Sequence, residues 1–403
     1  MKKYVFISGG ELFNKGAQAM TFIAVDQMKR RFPDAEIVLL STSDYKRSEE
    51  DKSHYNFTIL PFSTGWIYDY VGGALGTVYS LKNMVKKPSK DKFSTEKETI
   101  GRMLNDVVAW IDISGYALSS QFASNRSLDF LLRILTAKRH NIKMAIMPQS
   151  FGPFAYEGKN KYLFDYLMKK TLPYPVRIYA REQEGYDLLT KERKLQNVER
   201  TYDMVLMNKE LNLKNIYTEV PDFPTYEDVE SAIGVVPNEE NFKRADNEEV
   251  YAAYKYAIDT ALEHGRKVYL LRHSQNDQQV CLDIKNMFKD NEAVILLDRD
   301  ISSLEFDNLV EKLDFVIGSR FHSIVHSYKN HVPCIAIGWA TKYHELLKLF
   351  NQYDYIFDVR EDLDKDKLNA AVVKLLNNYQ EESQVIGEKL VEVQNSTNLF
   401  KVF

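Results

Sequence analysis

Ser319-Arg320-Phe321-His322 sets an arginine and a histidine where a short apolar run, Phe315–Gly318, gives way to a helical pattern. An arginine fork matches planar anions such as carboxylate and phosphate. A histidine two positions later can pass a proton near neutral pH. Free N–H groups at a helix start add positive partial charge at the same spot. Together they suit a small, doubly anionic substrate, with Ser319 as a further polar contact. The same residues also fit a histidine capped by backbone oxygens and an arginine in a structural ion pair. Leu271-Arg272-His273-Ser274 offers a second strand end of this kind, presenting Arg272 and His273.

The first half of the chain supplies loops of a different character. Ser8-Gly9-Gly10 through Asn14-Lys15-Gly16 follows an apolar run and opens a helix, so its backbone N–H groups can face an anion or a sugar. No Gly-Lys-Ser/Thr closes it and the dinucleotide glycine spacing is missing, which leaves Asn14 and Gly16 as sugar-side candidates or as parts of a tight turn. At Ser114-Gly115-Tyr116, Gly115 permits close backbone approach and Tyr116 offers a stacking surface; a plain turn fits equally. Pro148-Gln149-Ser150-Phe151-Gly152-Pro153 is stiffened by two prolines and holds Gln149 over any cleft that forms. Arg181 ends another apolar run, beside Glu182 and Glu184 with which it can pair. His322 and His326 are spaced i, i+4, but no His-Glu-x-x-His accompanies them and no metal site is assigned. Asp298-Arg299-Asp300 precedes a capping box, Ser302 to Glu305, and reads as a loop and helix start. No G-x-S-x-G elbow is present.

These loops need rigid elements behind them. Short β-branched runs alternate with amphipathic stretches: Tyr4–Ser8, Glu36–Ser41, Phe57–Leu60, Val107–Ser114, Lys143–Met147 and Arg177–Ala180 in the first half. Ala232–Val236, Lys267–Leu271, Ala293–Leu297, Phe315–Gly318 and Cys334–Ile337 follow in the second. Continuous apolar runs mark strands covered on both faces, as in parallel sheets wound by crossover helices. The pattern predicts an α/β protein of two Rossmann-like domains facing a cleft, with function in the loops after the strands. The expected division is 1–207, a polar linker at 208–231, and 232–403, whose C-terminal helix packs back on the first domain. The polar stretch 88–92 reads as an exposed loop.

Bulk properties narrow the class. A formal net charge of −4 and a pI near 6.1 argue against a nucleic-acid binder held by a basic field. Two cysteines, Cys281 and Cys334, fit a reducing compartment, and the short apolar run before Gly9 does not match a signal peptide; a cytoplasmic protein is expected. No window matches a membrane span. The aromatic stretch 62–85 reads either as a helix packed on the sheet or as a peripheral contact with a membrane or a lipid-linked substrate.

In their order along the chain, these loops resemble the polysaccharide pyruvyl transferase family. The likeness rests on Gly10, Asn14 and Gly16; Ser114-Gly115; Pro148-Gln149-Ser150-Phe151-Gly152-Pro153; Ala180-Arg181-Glu182; Tyr202-Asp203; Arg320-Phe321-His322; and Val332-Pro333-Cys334-Ile335 with Lys342. Ala17 stands where the family usually has an acid, Tyr116 replaces a glycine, and Phe321 replaces the commoner leucine. The resemblance implies a GT-B-like enzyme that moves the enolpyruvyl unit of phosphoenolpyruvate onto a surface-polysaccharide sugar as a ketal, with no metal or redox cofactor. Arg320 would grip the anion, with Arg181 or Arg272; His322 would be the acid; Asn14, Gly115, Tyr116 and Gln149 would hold the sugar, free or lipid-linked. A nucleotide-sugar glycosyltransferase and a non-catalytic carbohydrate-binding relative are the competing readings.

Overall fold

The computed structural model describes residues 2–71, 94–339, 341–361 and 363–403. Strands β1 (Lys3–Ser8), β2 (Ala35–Ser41), β3 (Thr58–Pro61), β4 (Val107–Asp112), β5 (Met144–Gln149), β6 (Arg177–Ala180) and β7 (Val198–Arg200) form one sheet, ordered β3-β2-β1-β4-β5-β6-β7. Strands β8 (Ala232–Val236), β9 (Lys267–Leu271), β10 (Val294–Leu297), β11 (Phe315–Gly318), β12 (Cys334–Gly338) and β13 (Ile356–Asp358) form a second, ordered β10-β9-β8-β11-β12-β13. The pairings within both are parallel. β5 and β8 are buried at every position, which is why their sequences run apolar without alternation. Periodicity does not find β7 and β13. Each has three residues and lies at a sheet edge, too short for a pattern to form.

Eleven longer helices follow the strands among the described residues: α1 (Lys15–Arg31), α2 (Thr64–Val71), α3 (Ser94–Met103), α4 (Ser124–Arg139), α5 (Gly158–Thr171), α6 (Asn247–Glu263), α7 (Gln278–Met287), α8 (Ser303–Val310), α9 (Phe321–Lys329), α10 (Thr341–Leu349) and α11 (Lys365–Gln394). Phe62, Trp66, Ile67 and Val71 sink into the core shared with α4 and α5; the rest of the aromatic stretch and residues 88–92 lie outside the described residues. No described helix is long and apolar enough to cross a membrane. The polar segment 208–231 is tied down: Ile216 is buried, and Tyr217 stacks on Tyr55 with ring centroids 5.7 Å apart. α11, kinked at Asn378, packs along α6 and leads to a terminal turn where Tyr179 Oη donates to the Leu399 carbonyl at 3.0 Å.

The sheets meet at their carboxyl ends. Lys15 N–H donates to the His273 carbonyl at 3.2 Å, Asn14 bridges Ser274, and Ser303 N–H donates to Gln18 Oε1 at 2.6 Å. In each sheet the strand order reverses, between β1 and β4 in one and β8 and β11 in the other. Such switch points open a crevice above the strands, and here the two crevices face each other.

Candidate active site

Asn14 starts the first crevice wall. Its side-chain oxygen accepts from Ala17 N–H at 3.2 Å and caps α1, so its amide serves the helix. Gly16, the second residue of α1, has no room for a side chain: a Cβ there would lie 2.3 Å from the His322 ring. Only glycine lets α1 approach the imidazole this closely. Arg320 caps α9 with extended backbone angles and His322 is the second residue of that helix, so the turn after β11 drives the imidazole across to the first sheet.

There it meets Asp203, which precedes the short helix Met204–Met207 and caps it through Val205 N–H at 2.9 Å. His322 Nε2 lies 3.5 Å from Asp203 Oδ2, an ion-pair separation, and has no hydrogen-bond partner among the described residues. Burial is the largest influence on the imidazole and pushes its pKa below the ordinary value; Asp203 works against that, favouring the protonated ring. Burial also acts most strongly on Asp203, in the raising direction, yet His322, Arg181 and the Val205 N–H together hold its carboxyl well below the usual range. Asp203 was legible only as part of the Tyr202-Asp203 pair; its place under His322 is a tertiary fact.

Arg181 is committed to the protein. Nη1 donates to Asp203 Oδ2 at 2.7 Å, Nη2 to the Gly115 carbonyl at 3.0 Å and to Ser150 Oγ at 2.8 Å, and its guanidinium stacks 4.6 Å from the Phe321 ring centroid. It aligns Asp203 with His322 from beneath and has few donors left for a ligand. Gly115, at φ 69°, turns its carbonyl toward that arginine. Ser319 is equally occupied: its hydroxyl lies 2.5 Å from Tyr254 Oη, and its carbonyl accepts from Asn238 and Tyr343. It holds the turn in place.

The second sheet contributes cations. Arg320 is bidentate to the fully buried Asp277, at 2.9 and 2.5 Å, the structural ion pair that its residue type allowed. Arg272 reaches Asp300 at 3.3 Å, and Lys15 reaches the same oxygen at 3.3 Å from the opposite wall. Lys15 is buried, and burial lowers its pKa against the pull of Asp300. Asp300 is 49% exposed and answers two cations, which leaves this cluster with more positive than negative charge. No phosphate-loop motif surrounds Lys15, so nothing in the local sequence marks it as an anion contact. His273 is buried between Phe306 and His326, with neither ring nitrogen hydrogen-bonded among the described residues. Burial, with His326, Lys15, His322 and Arg320 adding to it, keeps it neutral far below its ordinary pKa. His326 is bound to Asp307 at 2.6 Å instead of facing His322.

A small cavity of about 140 Å³ opens beside this centre, walled by Tyr116, Ser150, Gly152, Glu182, Trp339 and Lys342. Tyr116 Oη donates to the Gly152 carbonyl at 2.6 Å, fixing its ring at the wall. Lys342 Nζ lies 5.1 to 5.7 Å from the ring centroids of Phe321, Tyr116 and Tyr343 and forms no ion pair among the described residues. Burial first, then Arg181, bring its pKa down to about 7. Gln149 is fully buried at the end of β5, and neither side-chain polar atom finds a partner among the described residues.

The model of the family described as polysaccharide pyruvyl transferase matches residues 14–341. No curated protein sequence matches significantly. Among solved structures, the S. aureus MnaA-UDP co-structure is 11% identical with a TM-score of 0.54, covering 96% of this chain and 91% of its own. The UDP-GlcNAc 2-epimerase from Methanocaldococcus jannaschii is 13% identical with a TM-score of 0.53, covering 94% and 93%. Medicago truncatula UGT71G1 complexed with UDP-glucose is 10% identical with a TM-score of 0.52, covering 98% and 95%. At these identities the likeness concerns the fold, which is the GT-B arrangement of two α/β units.

Proposed function

Given that the chain belongs to the polysaccharide pyruvyl transferase family, we propose that it transfers the pyruvyl unit of phosphoenolpyruvate to two hydroxyls of a sugar, as a ketal, with His322 as the acid. The observation that carries this reading is the His322–Asp203 pair set between the two sheets, next to cations that only a single half-exposed carboxylate bridges.

In this scheme Lys15 and Arg272 exchange Asp300 for the phosphate or carboxylate of the donor, while Arg320, paired with Asp277, holds the turn that carries His322. His322, in the protonated form that Asp203 favours against burial, gives its proton to the methylene carbon. C2 becomes electron-poor and one sugar hydroxyl adds to it, losing its proton. The C2–O bond to phosphate then breaks, its electrons leave with phosphate, and the second hydroxyl closes the ketal. Of the two hydroxyl protons released, one balances the proton used to make the methyl group and the other leaves on phosphate. Tyr116 and Lys342 line the side on which the sugar would sit, and Gln149 lies buried behind it.

The test is phosphate release from phosphoenolpyruvate in the presence of candidate glycans, with mass spectrometry for the added pyruvate. His322→Ala is expected to lower kcat by about 100- to 10,000-fold while leaving the thermal midpoint near that of the parent, the usual worth of a general acid. Undiminished turnover would remove His322 from the mechanism. Release of UDP from a nucleotide sugar, with none of phosphate from phosphoenolpyruvate, would assign the chain to glycosyl transfer instead.

A further inference from the structure

Helix α5 shows an unusual outward face. Its inner side is well anchored: Phe164, Leu167 and Met168 are buried, and Tyr156 stacks on Phe164 with ring centroids 4.1 Å apart. Outward it presents Tyr162 at 78% exposure, Tyr166 at 57% and Leu163 at 38%, with exposed Val176 just beyond the helix. Residues 159, 162, 163, 166, 169 and 170 share one stripe at helical spacing. That stripe reads Lys, Tyr, Leu, Tyr, Lys, Lys, apolar and aromatic in the middle with ammonium groups at both ends.

The charges around it are one-sided. Lys159, Lys161, Lys169 and Lys170 on α5, with Lys138 and Arg139 at the end of the neighbouring α4, are exposed and in no ion pair among the described residues. Lys138 Nζ donates to the Lys170 carbonyl at 3.1 Å, which brings the two helix ends into one patch. Acids nearby are fewer: Asp165 is neutralised by Arg193 at 2.7 Å, leaving Glu157 and Glu192. Tyr162, Leu163 and Tyr166 adjoin on one helix face, so they form a patch where the other exposed large hydrophobic side chains among the described residues stand apart. Tyrosine rings between lysines fit the level of lipid headgroups, where the ring is half wet and the lysine stem lies along apolar surface while its ammonium meets phosphate.

We propose that this face of α5 is a docking surface for an anionic lipid bilayer. Charge complementarity selects that occupant: a bilayer bearing phosphate headgroups answers both the cations and the tyrosines. α5 runs back from the loop 150–157 at the carboxyl end of β5, so its first turn lies on the crevice side and its basic last turn on the opposite side of the sheet. The inference stands on α5 and the end of α4 and does not depend on the reaction proposed above.

Flotation of the full-length protein with vesicles of phosphatidylglycerol and phosphatidylcholine in equal parts, compared with phosphatidylcholine alone, tests it. Binding is expected to the anionic vesicles only and to weaken as salt rises. The double variant Tyr162→Glu, Tyr166→Glu, which changes only exposed side chains, should lose at least about tenfold in partitioning while melting like the parent. Lys169→Gln with Lys170→Gln should weaken binding by about fivefold per lysine and flatten the salt dependence. Absence of binding to anionic vesicles, equal binding to neutral ones, or undiminished binding of the tyrosine variant would each overturn the proposal. A dimer in sedimentation that depends on Tyr162 and Tyr166, without vesicle binding, would give the face to a second copy of the chain.

Discussion

At the scale of single residues, the site depends on what surrounds each group as much as on its type. His322 is flanked by Asp203, Arg181 and Gly16, and the glycine has the sharpest consequence. Adding one methyl group there puts a carbon 2.3 Å from the imidazole, so either α1 or the ring must move. Gly16→Ala would gain up to about 1 kcal/mol of helix propensity but meet an overpacking cost of about 1–3 kcal/mol. It is therefore expected to lower the thermal midpoint slightly and kcat by about 100-fold, since displacing a reacting group by an ångström costs on that order. A steady-state assay with a parallel melt checks both, and parental turnover would show that the contact is immaterial. Arg181 and Arg320 teach the complementary lesson. Both are arginines at strand ends, as an anion site requires, yet their forks are bonded to Asp203 and Asp277.

At the scale of elements, the short turn Leu399–Val402 matters more than its length suggests. The turn Leu399–Val402 lies against α1 and β6: Arg31 Nε donates to the Phe400 carbonyl at 2.6 Å, and the Arg31 guanidinium sits 5.6 Å from the Phe400 ring. Phe400 is buried, so Phe400→Ala is expected to cost about 3–5 kcal/mol, read as a lowered urea midpoint. An unchanged midpoint would mean that the turn frays without loosening the rest. The crossover helices and buried strands were legible because 3.6-residue and continuous apolar patterns are strong over their lengths. β7 and β13 were not, since three residues carry no period.

At the scale of the whole molecule, bringing two sheets face to face desolvates basic groups at their junction. His273 is held neutral well below pH 6.5, its ordinary value, and Lys342 titrates at about 7 instead of 10.5. For each the folded pKa lies below the unfolded one, so the unfolded chain binds more protons in that window and stability rises with pH. His273 acts below about pH 6.5 and Lys342 from about 7 upward, both in the same direction. Asp203 and Asp307, held below the usual carboxylate range, add further loss in stronger acid, below about pH 4. Thermal midpoints are expected to climb from pH 5 to pH 8, and His273→Gln to flatten the rise below pH 6.5. A midpoint that is level or falls over that range would contradict the burial assigned to these groups.

Sequence by itself determined the class of fold and the turn where an arginine, a histidine and a helix start coincide. Strand and helix periods are local, and so is the order of residues within a loop. Which cations remain available to a ligand was a tertiary decision. Arg181, Arg320 and Ser319 face partners 22, 43 and 65 residues away, while Lys15 and Arg272 share Asp300 across the crevice. Ion pairing and desolvation act through distance in space, and distance along the chain carries no record of it.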